Sequence, residues 1–76
     1  MTRTLRVFVN AAPVDAAEGA TAVDCVRAWR GDEADAVVAG RVLITDSRGL
    51  PIPADSPASA GSIYRTVPKR DRAAND

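Results

Sequence analysis

"RVFVNAAPVDAAEGATAVDCVRAW", residues 6–29, decides the fold. Together with Thr4 and Leu5, its opening alternates Leu5, Val7 and Val9 against Arg6, Phe8 and Asn10. That is the period-two pattern of a strand buried on one face. Asn10 and Pro13 are turn residues, and residues 14–18 read as a second short strand, so the two runs predict a hairpin. Gly19 then breaks the extended pattern. Thr21 is placed as the N-cap of a helix, with Asp24 three residues on as its capping-box partner and as a charge suited to a helix start. Val23, Val26 and Trp29 recur at helical spacing and are assigned to the side facing the sheet. Arg27 and Arg30 suit the last turn, and Gly31 is read as the residue that stops the helix.

Downstream, residues 31–40 read either as a shorter helical turn, with Asp32 as cap and Gly40 as stop, or as a loop dropping Val37 and Val38 onto the core. Residues 41–45 form an almost continuous apolar run, the pattern of a covered strand. Leu50 to Ile52, set between Gly49 and Pro53, is at most a very short edge strand, because proline is confined to edges. A long loop rich in proline and serine leads to the last strand, residues 62–67, which Pro68 ends. The expected architecture is α+β: a mixed four- to five-stranded sheet with one main helix packed across one face. The expected organisation is one domain over residues 1–67 and a flexible basic tail over residues 68–76. In the last strand the alternation leaves two facings open, with either Ile63, Arg65 and Val67 or Tyr64 and Thr66 inward.

Composition narrows the function classes. The chain has 76 residues, 46% of them hydrophobic and 26% charged, which is globular and near the lower size limit for a core without staples. Phe8, Trp29 and Tyr64 are the only aromatics, so the core is expected to be built from Val, Leu, Ile and Ala. Ten basic and ten acidic side chains cancel, against the basic excess of a general nucleic-acid or membrane-surface binder. The lone Cys25 precludes an internal disulfide, and the absence of histidine removes the usual zinc and triad arrangements. Cys25 is read as a small core residue. No pair of groups suggests acid–base catalysis and no phosphate-binding loop is present, so a non-enzyme without cofactor or metal is expected. There is no membrane-span pattern and no secretory leader pattern at the start, and the expected compartment is the cytoplasm.

Residues 6–29 resemble the opening of ubiquitin-like β-grasp proteins, especially the bacterial sulfur carriers of thiamine and molybdopterin synthesis. The shared features are a strand ending in Asn, a turn, a second strand, a Glu-Gly-x-Thr entry and a helix. The later "AGSIYRTV" (residues 60–67) resembles the entry to their final strand, so the likeness spans about residues 4–67. It implies that the first and last strands lie side by side at the sheet centre and that the tail projects from the sheet end. In that family the tail finishes in Gly-Gly and its carboxylate is activated by an adenylating enzyme. This chain ends Arg72, Ala73, Ala74, Asn75, Asp76 instead, which disfavours a sulfur-carrier role.

The resemblance therefore implies a bacterial ubiquitin-like protein, a modifier or carrier, whose tail is presented to an activating or conjugating enzyme or a processing peptidase. Ala73 and Ala74 are the least bulky substitutes for Gly-Gly, and nine extended residues reach roughly 30 Å. Lys69, Arg70 and Arg72 would dock such a tail on an acidic channel. The alternative is a non-covalent docking module or subunit of a larger assembly, with Phe8 as an exposed aromatic and Tyr64 and Arg65 as further candidates. A tail without function is the third reading.

Overall fold

The computed structural model of the chain describes residues 3–69. Strand β1 (Thr4–Val9) and strand β2 (Ala12–Ala17) form the expected antiparallel hairpin, with Val7 opposite Val14. Val7 and Val9 are fully buried, and Phe8 lies on the opposite side. β2 begins at Ala12, ahead of the expected Val14, and so includes Pro13. The ladder explains why this is tolerated. The Phe8 N–H donates to the Ser62 carbonyl rather than toward β2, so Pro13, its partner in register, sits where no inward donor is needed. Two residues, Asn10 and Ala11, close the hairpin, both with positive φ (52° and 70°), the pattern of a type I′ turn.

Helix α1 (Ala22–Trp29) starts with the capping box read from the sequence. The Asp24 N–H donates to Thr21 Oγ1 at 3.4 Å, and the Thr21 N–H donates to Asp24 Oδ2 at 3.0 Å. The other first-turn donors, the N–H groups of Ala22 and Val23, reach the carbonyls of Ser56 and Ala54 in the long loop. Ala22, Cys25 and Val26 are buried, while Val23 and Trp29 are half-buried against the core. The Arg30 guanidinium lies over the Trp29 ring, 5.0 Å from its centroid.

The expectation of one main helix is corrected. A second helix, α2 (Gly31–Val38), matches the first at eight residues. Gly31 follows the C-cap of α1, the C′ position expected for it, and is also the first residue of α2. The chain turns at Arg30, whose extended backbone (φ −160°) ends α1 and begins α2, so Arg30 rather than Asp32 holds the N-cap position. Asp32 and Glu33 in the first turn complement the helix dipole, and Arg27 bridges to Asp35 at 3.1 Å. Gly40 does stop α2. With φ 83° it donates to the Val37 carbonyl, and Arg41 donates to Ala36, the paired bonds of a Schellman ending.

Strand β3 (Val42–Thr45) and the two-residue strand β4 (Pro51–Ile52) pair antiparallel across a turn held by Asp46. Strand β5 (Ile63–Pro68) inserts between β1 and β3, parallel to the former and antiparallel to the latter. The sheet order is β2-β1-β5-β3-β4. Both helices contribute to one core, in which Ala22, Cys25, Val26 and Ala34 pack with Val7, Val9, Ile44 and Tyr64. The result is α+β, with a five-stranded mixed sheet covered by helices on one face.

Candidate protein-docking face

The outer face of the sheet follows from register. Cross-strand partners share a face, so Phe8 brings Ile63 with it, and Arg65 and Val67 bring Thr45 and Leu43. Tyr64 alternates inward and is only 4% exposed, whereas Ile63 is 45% and Val67 38% exposed. The two facings that the alternation left open are thereby decided. Phe8 and Arg65 remain on the outer face, and Tyr64, proposed from sequence as a docking residue, is corrected to a core residue. Burial raises the Tyr64 phenol above its ordinary pKa, a shift that the Ser62 side chain opposes.

Phe8, Asn10, Ala11, Ile63 and Arg65 line an open concavity of about 620 Å³ on this face. Asn10 builds one wall. Its Nδ2 donates to Thr66 Oγ1 at 2.8 Å and its Oδ1 accepts the Thr66 N–H at 3.1 Å, so the turn is fastened to β5 beyond the last paired residues of β1. Asparagine tolerates the left-handed backbone that this requires. Ala11 does so less readily, yet it places a methyl group at the rim. Sequence reading found Phe8 and Arg65 but missed Asn10, Ala11 and Ile63. The signal for Ile63 was present in the alternation, once Tyr64 is assigned inward.

The polar groups around the concavity are largely committed. Arg6 and Asp15, cross-strand partners on the same face, form an ion pair at 2.6 Å. Thr45 Oγ1 donates to the Arg65 carbonyl at 3.5 Å. The Arg65 guanidinium has no ion pair or hydrogen bond among the described residues.

Other candidates carry less. The Cys25 thiol is fully buried, and its pKa is raised first by burial and then by Asp24, the opposite of an activated nucleophile. A second groove of about 400 Å³ between β2 and α1 includes Glu18 and Asp24, but Asp24 is engaged in the capping box. Among the described residues no group of three potential metal ligands occurs, and no helix is long and apolar enough to cross a membrane. Lys69 follows β5 and its N–H donates to the Arg41 carbonyl. Arg70, Arg72, Ala73, Ala74, Asn75 and Asp76 lie outside the described residues. No family model, curated protein or solved structure matches this chain.

Proposed function

We propose that the chain is a ubiquitin-like β-grasp domain without catalytic activity that docks a partner protein across the outer face of its sheet. One observation carries this reading. The adjacent strands β1 and β5 hold Phe8, Ile63 and Val67 around Arg65 on the side that the helices leave uncovered. Apolar side chains gathered on an open face around few polar groups form the interior of a protein interface more readily than a reaction site.

A second reading is favoured by the topology. β5 lies at the sheet centre beside the parallel β1 and ends at Pro68, with Lys69 following it. In this reading the segment 70–76 is presented to an activating, conjugating or processing enzyme, with the outer face as the platform that receives it.

The two readings separate in a pull-down from the lysate of the source organism, using tagged intact chain, an Ile63→Lys variant and a variant lacking residues 70–76. Docking across the face requires a bound protein that is lost with Ile63→Lys and retained without residues 70–76. The reverse pattern overturns the docking reading in favour of tail presentation. Circular dichroism of each variant confirms that the fold is retained.

A further inference from the structure

The chemistry around the concavity points to a particular kind of partner segment, an inference that rests on the docking reading. We infer that the segment seated on the outer face sets an apolar side chain against Phe8 and Ile63 and, two residues along, an aspartate or glutamate against Arg65.

Three features of the face lead there. The first is charge. Arg6 and Asp15 neutralise one another, which leaves Arg65 as the uncompensated charge beside the apolar wall among the described residues. A guanidinium carries a fixed fork of donors suited to a carboxylate, and an apolar surround that excludes water on docking strengthens that pairing. The same isolated charge opposes a partner that brings lysine or arginine to this place. The second is hydrogen bonding. Asn10 is committed to Thr66 and the Thr45 hydroxyl to a backbone carbonyl, so Arg65 is left as the group able to choose among polar partners.

The third feature is spacing. Ile63 and Arg65 are alternate residues of one strand on one face, so their Cα atoms stand roughly 6.5–7 Å apart. Residues i and i+2 of an extended partner have the same separation and also share a face. An apolar residue and an acid separated by one residue therefore meet both anchors at once. The acid is assigned to a side chain rather than to a chain terminus. The strand N–H groups at this site, those of Phe8 and Asn10, are spent on the carbonyls of Ser62 and Tyr64, and among the described residues no cluster of free N–H donors lines the concavity to receive a terminal carboxylate.

The test uses isotope-labelled intact chain titrated with acetyl-Leu-Ala-Glu-amide, its Gln and Lys counterparts, and acetyl-Leu-Ala with a free carboxylate, followed through the backbone amide resonances. The Glu peptide should shift Phe8, Ala11, Ile63 and Arg65 saturably and bind about two- to five-fold more tightly than the Gln peptide, the range for a partly exposed ion pair. The Lys peptide should bind more weakly than either. In Arg65→Gln the difference between Glu and Gln peptides should vanish while the shifts at Phe8 and Ile63 persist. Equal binding of the Glu and Gln peptides to the unaltered chain overturns the acidic-partner inference but leaves docking on this face intact. Tighter binding of the free carboxylate overturns the assignment to a side chain. Saturable shifts confined to other surfaces, or none from any peptide, overturn the inference together with its platform.

Discussion

Replacing Ala11 by glycine probes the hairpin turn that forms the rim of the candidate face. Ala11 has φ 70°, in the left-handed region that disfavours any residue with a Cβ. That conformation costs an L-residue about 1–2 kcal/mol. Glycine removes the strain but has more freedom to lose on folding, which offsets about 0.5–1 kcal/mol. The net expectation for Ala11→Gly is a gain of about 0.5–1 kcal/mol, or a rise in Tm of about 2–8 °C for a domain of this size. Asn10→Gly provides the counterpart. It relieves less strain, because asparagine tolerates the region, and it removes both hydrogen bonds to Thr66, so a loss of about 1 kcal/mol is expected. Thermal denaturation followed by far-UV circular dichroism reads both. A Tm that falls or stays unchanged in Ala11→Gly refutes the strained turn. Equal gains in the two variants refute the role of Asn10 as a clamp on β5.

Three further outcomes follow from the same geometry. Tyr64→Ala should cost about 3–5 kcal/mol, a large share of the roughly 4–11 kcal/mol available to a domain of this length, whereas Ile63→Ala should cost less than about 1 kcal/mol; comparable losses in urea denaturation would mean that the facing of β5 is wrong. Thr21→Ala removes one arm of the capping box and should destabilise by about 1 kcal/mol, whereas Asp32→Ala, which lies outside the N-cap position, should not remove a cap; equal effects contradict the helix boundary at Arg30. The Asp46 carboxyl is held below its ordinary pKa, first by the Leu50 N–H and also by Arg48. A depressed folded-state pKa contributes stability that is present above the unfolded value and lost as pH falls through the folded value. Asp46→Asn should therefore show a shallower acid-side loss of urea midpoint than the unaltered chain, and parallel curves would exclude that contribution.

The hairpin and α1 were legible in the sequence because their signals are local. Strict alternation fixed the face of Val7 and Val9, and Thr21 with Asp24 marked a helix start whose hydrogen bonds span three residues. That Gly31 both follows the end of α1 and opens α2 was beyond local reading, because glycine offers two meanings, helix stop and helix start. Both hold here through the extended backbone at Arg30, together with an Arg27–Asp35 contact between the helices that no local pattern records. The facing of β5 was equally beyond local reading. Ile63, Tyr64 and Val67 are all acceptable core residues by type, and only pairing with Phe8 on one side and with Leu43 on the other puts Ile63 and Val67 outside. Asn10 carried a turn signal but gave no sign of its bonds to Thr66, 56 residues away.

The most direct test of outer-face docking is site-specific photocrosslinking in the source organism, with a benzophenone side chain placed at position 63 on the outer face or at position 38 on α2, where Val38 is 70% exposed. The expected result is a discrete protein adduct from position 63 that disappears when Arg65→Glu is added, and none from position 38. Adducts of equal yield from position 38, or a position-63 adduct indifferent to Arg65→Glu, would contradict docking through Phe8, Ile63 and Arg65.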